Sequence, residues 1–491
     1  MTKNSPLRRL SVALKLRQAF DPPQPVTSAD APSISQFLRA AKESFLRDVK
    51  EDPAKAAGQW TVVMGNEAGG KFIFFIGDRY PSINHKTPPQ DLDSIASSIA
   101  YAWVLSEVKK IPAIPLVQVQ HDDLNLRPEN IYALKLAGLT ESLEELLTSS
   151  DVSEFKPFPS HKFALVDHNR LGSTFSLDNP TAEVASVIDH HEDEKLYLNA
   201  SPRIIAPCGS CASHVATQFP PEPLPDLALL LLTAILIDTD GLKPGGKAVQ
   251  TDRDSALFLA PKSSIANSIP PLSALSPIDH PNPDALYEAQ AIKDLTKALR
   301  DRKSDVSHLS GFDLLRRDYK EYSHTLAWAA GSPSIKVGLS TVVSGLKTWG
   351  TDGKLEQAAV RWMTERKITA LGICTSFRQT KKIGKKNDKG KHKREQAWIL
   401  LTEPELAGIA SEGLTTDVIA KRLFAGLEAN ESLQLKKYKK FSKLEKGSKL
   451  PPGSRAKAYK QENVDASRKE IAPLLKNILE GDAGAQGGQQ D

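Results

Sequence analysis

The sequence predicts an α/β protein with two domains, the first of which is built on a parallel sheet. Its 491 residues, 40% hydrophobic and 25% charged, are enough for two or more domains with ordinary cores. In the first half, short apolar runs that end in polar residues alternate with helical patterns, which is typical of parallel strands covered by helices. A stretch rich in Pro, Ser and Asn at 264–284 predicts a linker, and a smaller α/β domain is expected after it.

The first domain is expected over 34–263, preceded by an extension at 1–33. The extension carries five Lys and Arg and no acid in its first twenty residues, so it is either disordered or a mitochondrial targeting segment. Apolar residues at helical spacing after Ser33 predict a helix with Ser33 as its N-cap. The following elements are expected in chain order: strands at 60–64, 163–166 and 187–188, and helices at 95–108, 131–147 and 227–237.

The second domain is expected over 285–480. A helical pattern at 285–303 is followed by apolar runs at 336–343, 368–375 and 398–401, which predict strands. The segment at 481–491 is rich in Gly and Gln and is expected to be a disordered tail.

Composition excludes several classes of protein. Three cysteines argue against a disulfide framework and favour a reducing compartment, for which we expect the cytoplasm. Cys208 and Cys211 have CxxC spacing, but no second pair completes a zinc site, so two small residues packed in a turn are the preferred interpretation. No apolar run reaches the roughly 18–20 residues of a membrane span, so no membrane partner is expected.

Polar residues that suit a divalent cation follow several of the apolar runs. They are Asn66, Asp91-Leu92-Asp93, Asp167-His168-Asn169, Asp189-His190-His191 and Asp238. Ligands bind at the carboxyl ends of parallel strands, and Asp and His oxygens and nitrogens suit Mn²⁺ or Mg²⁺. Two such ions about 3.5–4 Å apart can share and activate a water molecule. Taken alone, each motif also has an ordinary structural interpretation, such as Asp91 as a helix N-cap.

These motifs resemble those of the DHH phosphoesterases, specifically the exopolyphosphatase and prune-like branch, which is related to family II inorganic pyrophosphatases. The resemblance covers about 33–480. Asp91-Leu92-Asp93-Ser94 is similar to the first motif, Asp167-His168-Asn169 to the second, Asp189-His190-His191 to the third, and Ile237-Asp238-Thr239 to the fourth. Ser467-Arg468-Lys469 resembles the substrate-binding motif of the associated C-terminal domain.

The resemblance implies a role for each matching residue and places the active site in a cleft between the domains. Asn66, Asp91 and a bridging, catalytic Asp167 would hold one metal ion, and Asp93, Asp167, His190 and Asp238 a second. His191 would be catalytic and bind the phosphate, and Lys303, Arg468 and Lys469 would bind phosphate oxygens. Both ions are expected to be Mn²⁺ or Mg²⁺.

Asn66 bears on the substrate, because the related pyrophosphatases carry His at this position and the exopolyphosphatases carry Asn. The resemblance therefore implies hydrolysis of terminal phosphoanhydride bonds in inorganic polyphosphate. We separately expect a monomer without nucleic-acid or membrane partners. The alternatives are a pyrophosphatase, a nucleotide or cyclic-nucleotide phosphodiesterase, and a weakly catalytic scaffold.

A segment of 21 residues at 70–90 separates Asn66 from Asp91 more widely than the family spacing allows. Its removal restores that spacing. Gly70-Lys71 can be encoded with a splice donor and Gln90-Asp91 with an acceptor, so we hypothesise a retained intron, translated in frame. The alternative is a genuine insertion, which would displace Asn66 and weaken activity.

Two basic stretches carry much of the positive charge of the second half. Residues 378–394 contain nine Lys and Arg against one Asp, and a further lysine-rich stretch spans 436–449. The first lacks interleaved aromatic residues, which disfavours binding of single-stranded nucleic acid. A solvated loop is the simpler interpretation, and attraction of a long polyanion is the alternative hypothesis.

Overall fold

The computed structural model describes residues 33–66, 90–268, 284–379, 390–402, 414–447 and 449–481. Within these ranges the chain forms two compact units that divide between Asp305 and Val306. The extension at 1–32, most of the 70–90 segment and the tail beyond Gly481 lie outside the described residues.

The first unit contains a six-stranded sheet in the order β3-β2-β1-β4-β5-β6, and every strand pair is parallel. Its strands are β1 (Thr61–Met64), β2 (Ala113–Val117), β3 (Leu147–Thr148), β4 (Lys162–Val166), β5 (Glu183–Asp189) and β6 (Arg203–Ile205). Its α-helices are α1 (Ile34–Glu51), α2 (Pro53–Gln59), α3 (Leu92–Trp103), α4 (Pro128–Leu136), α5 (Ser149–Val152), α6 (Ser173–Ser176), α7 (Cys211–Ala216), α8 (Pro225–Asp238), α9 (Gln250–Leu259), α10 (Ala285–Glu288) and α11 (Gln290–Ser304).

This strand order places the candidate ligands at a switch point of the sheet. From β1 the chain proceeds to β2 and β3 on one side, whereas β4 continues to β5 and β6 on the other. Loops after β1 and β4 therefore diverge, and they leave a crevice of the kind in which ligands bind in open α/β sheets.

Helix α3 lies in the core of the unit, and all twelve of its residues are buried. Small side chains at Ser94, Ala96 and Ala100 allow close packing, and a Cβ on Gly65 would lie 2.6 Å from the Ser94 Cβ. Helix α8 is buried from Leu227 to Leu236, as its apolar run predicted. Both helices thus bring their acidic end residues to the sheet without exposing an apolar face.

The second unit contains a mixed sheet in the order β12-β13-β11-β9-β8-β7, with β10 paired to β11. Among the described strands of this second sheet, only the β8–β9 pair is parallel. The strands are β7 (Tyr319–Thr325), β8 (Ser334–Val342), β9 (Ala370–Thr375), β10 (Phe377–Gln379), β11 (Lys391–Leu400), β12 (Leu435–Lys437) and β13 (Arg455–Gln461). The α-helices are α12 (Gly311–Arg317), α13 (Leu346–Trp349), α14 (Lys354–Arg366), α15 (Thr416–Ala429), α16 (Ser442–Glu445) and α17 (Arg468–Glu480).

The division of the chain differs from the expected one. The sequence placed the linker at 264–284 and assigned 285–480 to the second domain, but α11 belongs to the first unit. Ile292, Leu295 and Leu299 of this helix are fully buried in the core of the first unit. A shift in amino-acid composition can indicate a linker, but the boundary between two domains depends on which hydrophobic core buries the next helix.

The expected helix at 131–147 is also shorter in the structure. Helix α4 ends at Leu136 because Gly138 adopts a left-handed φ of 80°. The N–H groups of Gly138 and Leu139 then bond the carbonyls of Lys135 and Leu134, which is a Schellman helix end. The expected strand cores and the helices at 34–49, 95–108 and 227–237 are confirmed.

Among the residues that the structure describes, no helix combines the length and the apolarity needed to cross a membrane.

Candidate metal centre

Asp167 follows β4 directly and has a strained backbone. Its φ of +64° is left-handed, a conformation that residues other than glycine rarely adopt. The Asp167 N–H donates to the carbonyl of Ile188 at 2.9 Å, and its carboxylate accepts the Ser94 hydroxyl at 2.6 Å. The residue is only 3% exposed. Such strain persists where the surroundings over-determine it and clusters at functional sites, so this carboxylate is a strong candidate.

His190 follows β5 and points one ring nitrogen at this carboxylate. Its Nε2 lies 3.1 Å from Asp167 Oδ1 and 3.9 Å from Asp93 Oδ2. Its Nδ1 lies 3.1 Å from the carbonyl oxygen of Cys208, which can only accept a hydrogen bond. The Nδ1 atom therefore carries the proton, and Nε2 is the atom presented to a metal ion. Ligating histidines in metal sites are oriented in this way.

Asp189 ends β5 and orients both histidines. Its Oδ1 accepts the N–H of His190 at 2.7 Å, the N–H of His191 at 3.2 Å and the ring Nδ1–H of His191 at 2.8 Å. Its Oδ2 accepts a hydrogen bond from the Asn169 side chain at 2.5 Å. The His191 side chain is 51% exposed, so its Nε2 is available to a bound molecule.

Asp93 lies in the first turn of α3 and is held by the loop that precedes α7. Its Oδ1 accepts the Ser210 hydroxyl and the Ala212 N–H, both at 2.8 Å, and its Oδ2 accepts the Cys211 N–H at 2.7 Å. Because the same loop carries the Cys208 carbonyl that orients His190, it positions two candidate ligands together.

The loop is fixed in turn by Asp252 of α9, which is fully buried. The Asp252 carboxylate accepts the N–H groups of Gly209 at 2.8 Å, Ser210 at 3.3 Å and Val249 at 2.8 Å, and the Ser213 hydroxyl at 2.6 Å. A buried carboxylate with four donors is rigidly held, so the loop between Cys208 and Ser213 has one preferred conformation.

Asp91 and Asp238 lie within electrostatic range of the same centre. Asp91 is the N-cap of α3, as its structural interpretation predicted, and accepts the Ser94 N–H at 3.1 Å. Asp238 is the last residue of α8. Burial raises its pKa to about 8, repulsion by Asp93 adds to this, and the Lys303 ammonium opposes it. Lys303, predicted to bind phosphate, therefore lies within electrostatic range of Asp238.

Asn66 comes directly after β1, but its observed contact is through the backbone. Its carbonyl accepts the Gln90 side-chain amide at 3.0 Å. Gln90 is fully buried, its Oε1 accepts the Gln118 N–H at 2.9 Å, and its own carbonyl accepts the Asn130 side chain at 2.9 Å. The last residue of the proposed intron is thus part of a buried hydrogen-bond network beside the first predicted ligand.

Burial and mutual repulsion raise the pKa values of the central carboxylates. Burial, the largest cause, raises the pKa of Asp93 to about 7, with repulsion from Asp167 next. Burial likewise raises the pKa of Asp167 to about 6, although the hydrogen bond to His190 opposes this. Burial would lower the pKa of His190, but its bonds to Asp167 and Cys208 raise it to about 12. A divalent cation bound among these carboxylates would relieve their repulsion and keep them ionised.

The donor set fits a hard divalent cation. One ligand atom from each of Asp167, His190 and His191 lies within 4.8 Å of the others. The nearby thiols are poor ligands, because burial raises the pKa of both Cys208 and Cys211 and both stay protonated. Oxygen and imidazole donors without thiolate suit a divalent cation rather than a thiophilic ion.

Arg468 and Lys469 lie in the second unit. Ser467 and Glu470 form a capping box at the start of α17, which presents the two cations in its first turn. Arg468 Nη1 lies 2.8 Å from Asp318 Oδ1, so this guanidinium is held in place by an acidic neighbour, while Lys469 is exposed.

Several positioning residues were not among the predicted ligands. Asp189 and Asn169 lie within two of the motifs named above, so the sequence could have indicated their positioning roles. Ser94 adjoins the Asp-x-Asp motif. Asp252 has no sequence signal, because its partners in the loop are about 40 residues away.

The fold and these contacts define a class: a two-unit α/β protein with a cluster of carboxylates and histidines, a candidate metal centre, at the switch point of a parallel sheet. Comparison with known families specifies it further. Residues 83–235 match the DHH family N-terminal domain, and residues 297–478 match the DHHA2 domain. The chain belongs to the DHH family. The DHH match begins after β1 and therefore leaves Asn66 outside it.

Curated relatives carry exopolyphosphatase names. A Schizosaccharomyces pombe protein, provisionally named an exopolyphosphatase, is 34% identical over 249 residues, which are 47% of this chain and 58% of that protein. Exopolyphosphatase PRUNE1 of Rattus norvegicus is 29% identical over 47% of each chain. The Homo sapiens PRUNE1 is 24% identical over 79% of this chain and 73% of its own length. The chain spans about half the length of the first two relatives.

Solved structures also align with this chain. A Methanococcus jannaschii protein, provisionally assigned as a family II inorganic pyrophosphatase, aligns with 79% of this chain and 96% of its own, at 16% identity and a TM-score of 0.40.

Proposed function

We propose that the chain is a metal-dependent phosphoanhydride hydrolase that releases orthophosphate from the ends of inorganic polyphosphate. The observation that carries the proposal is the contact of His190 Nε2 with Asp167 Oδ1 at 3.1 Å, beside the fixed carboxylate of Asp93. The exopolyphosphatase names of the relatives agree with it. This arrangement supplies oxygen and nitrogen donors from three separate elements of the sheet edge.

The metal ligands are assigned in two groups that share Asp167. Asn66 and Asp91 complete one group, and Asp93, His190 and Asp238 complete the other. Divalent cations bound there would lower the pKa of a shared water and polarise a phosphoryl oxygen. We propose Asp167 as the shared ligand, because its carboxylate lies 3.1 Å from His190 Nε2 and is close enough to Asp91 for that carboxylate to raise its pKa.

His191 is proposed to contact the phosphate itself. Asp189 holds its Nδ1, which leaves the Nε2 of the half-exposed ring to donate a proton or a hydrogen bond to a leaving phosphate oxygen. Lys303, Arg468 and Lys469 are proposed to bind the other phosphate oxygens. A guanidinium forms bidentate bonds to phosphate, and Asp318 already limits the motion of Arg468.

Asn66 is the reason to prefer polyphosphate to pyrophosphate. A neutral carboxamide is a weaker ligand than imidazole, so we expect the centre to accept Mg²⁺ alongside Mn²⁺. A weakly catalytic scaffold is the second candidate, because the segment before Gln90 separates Asn66 from Asp91 in the chain. We also propose that the protein is a monomer and that it is located in the cytoplasm.

The test is phosphate release by the purified full chain with Mg²⁺ or Mn²⁺. Long-chain polyphosphate, tripolyphosphate, pyrophosphate and cyclic AMP are compared, with Asp167→Asn as the inactive control. The proposal predicts the highest kcat/KM on polyphosphate or tripolyphosphate. A preference for pyrophosphate or cyclic AMP would replace it with the corresponding activity. Metal binding without turnover of any of these would favour the scaffold.

A further inference from the structure

Five lysines surround one buried carboxylate on the second unit. Lys393 and Glu395 lie on the same face of β11, and Lys460 of β13 is the strand partner of Glu395. Lys436 of β12 is in turn the strand partner of Lys460. We call the group formed by Lys347, Lys393, Lys436, Lys440 and Lys460 the lysine cluster; all five side chains are exposed.

Glu395 and Tyr438 fix the backbone from which the other two lysines project. Glu395 is 7% exposed, and its Oε2 accepts the N–H of Leu346 at 2.8 Å, immediately before Lys347. The Tyr438 hydroxyl bonds Glu395, and Lys440 follows two residues later. The ammonium of Lys460 lies 5.2 Å from the centre of the Tyr438 ring. The backbone positions from which these lysines project are therefore set by the fold.

Within the part of the chain that the structure describes, the positive charges of the lysine cluster are only partly compensated. Lys436 pairs with Glu462 at 2.7 Å. Glu395 supplies a single buried carboxylate within electrostatic range of both Lys393 and Lys460. Lys347 and Lys440 are close enough that Lys347 lowers the pKa of Lys440. Like charges held together by a fold are relieved by a bound anion with several charges.

The chemistry favours an unbranched inorganic polyanion over a nucleic acid. Lysine ammonium groups bind phosphate as point charges, without the planar fork of arginine. Single-stranded nucleic acids also need aromatic platforms on which bases stack, yet Tyr438 is buried beneath Lys460. We propose that the lysine cluster is a binding surface for an extended polyphosphate chain. The inference rests on the proposed function for the identity of the chain, but the surface itself is tested by binding alone.

The test compares two double variants of the full chain by equilibrium binding of fluorescent long-chain polyphosphate without divalent cations. Lys347→Gln/Lys440→Gln removes two cluster charges. Lys421→Gln/Lys476→Gln removes two exposed charges from α15 and α17, which pack on the opposite face of the sheet. For two lost phosphate contacts, the cluster variant should bind roughly tenfold more weakly at 0.15 M salt, and its slope of log K against log salt should fall by about 1.4. The control variant should retain both values.

Three results would overturn the proposal: unchanged binding by the cluster variant, equal weakening in both variants, or displacement of polyphosphate by a single-stranded RNA of similar charge at an equal concentration. Hydrolysis assays separate this failure from that of the proposed function. If the lysine cluster binds polyphosphate and the chain also hydrolyses it, KM for long chains should rise in the cluster variant while KM for tripolyphosphate stays unchanged. If the wild-type chain hydrolyses none of these substrates, the proposed function is refuted, but the binding experiment still tests the lysine cluster.

Discussion

The carboxylate of Asp252 accepts the backbone N–H of Gly209 at 2.8 Å, and through this loop it determines the positions of Asp93 and His190. A Cβ on Gly209 would lie 2.8 Å from Asp252 Oδ2, so the close approach requires glycine. Asp252 lies outside every motif of the family resemblance. It acts through a loop rather than on a metal ion or substrate.

Asp252→Asn is therefore expected to weaken metal binding without removing a ligand. Both carboxylate oxygens of Asp252 accept hydrogen bonds. The NH₂ group of asparagine cannot accept one, so at least one backbone N–H would face another donor and the loop should shift. Loss of an outer hydrogen-bonding partner typically costs 10–100-fold in metal affinity. Titration of Mn²⁺ binding by calorimetry would measure it, with exposed Asp254→Asn of the same helix as the control. Unchanged affinity in a folded Asp252→Asn variant would remove Asp252 from the site.

A second prediction concerns stabilisation by divalent cations. Bound ligand stabilises the native state by about 2.7 kcal/mol at a concentration of 100 Kd, so saturating Mn²⁺ should raise the Tm of the wild-type chain. His190→Ala should lose most of this increase, whereas His121→Gln, which changes a partly exposed histidine of the first unit, should keep it. An equal metal-induced shift in wild type and His190→Ala would argue against His190 as a ligand.

The predictability of this site from sequence depended on where each residue lies relative to a strand end. Asp167 and His190 could be predicted to meet, because both follow short apolar runs and parallel strands end at one edge. The hydrogen bonds of Gln90 to Asn66 and of Asp252 to Gly209 could not, because they join segments that are distant in sequence and have no periodic pattern. The same limit explains the domain boundary: the pattern at 285–303 showed a helix but not which core would bury Leu295.

His191 should affect turnover far more than metal binding. Its Nδ1 is fixed by Asp189, and its half-exposed ring is the part of the motif that remains open to a substrate. Loss of a positioned proton donor typically costs 10²–10⁴-fold, so His191→Ala should lower kcat by roughly this range. Metal affinity measured by the same titration should change much less than in His190→Ala. Comparable losses of metal affinity in the two variants would instead make His191 a ligand.

Gln90 tests whether the preceding segment belongs to the protein. Its side chain is the acceptor for the buried N–H of Gln118 and a donor to the Asn66 carbonyl. Leaving a buried donor unsatisfied costs about 1–3 kcal/mol, so Gln90→Ala should lower the free energy of unfolding by that amount in urea denaturation. Transcript sequencing addresses the retained-intron hypothesis directly. A junction between the codons of Gly69 and Asp91 would support it, and its absence would refute it.

Deletion of 70–89 and of 70–90 should then differ. The shorter deletion keeps Gln90, and the longer one places Gly69 where the buried side chain now lies. If the segment is a genuine insertion, we expect the longer deletion to unfold at lower urea and to hydrolyse polyphosphate more slowly than the shorter one. Equal or greater stability and activity after the longer deletion would instead support the spliced form.

His324 predicts how the second unit responds to pH. It is 3% exposed, and burial lowers its pKa although its Nδ1 lies 2.9 Å from Glu480 Oε1. The unfolded chain, with an ordinary histidine pKa of about 6.5, therefore binds more protons than the native state does. Stability should rise with pH from the lowered native pKa up to about 6.5 and then level off. His324→Gln should flatten this part of the profile of unfolding free energy against pH, whereas His308→Gln, which changes an exposed histidine of the same unit, should preserve it. An unaltered profile in His324→Gln would show that His324 does not titrate between the two states.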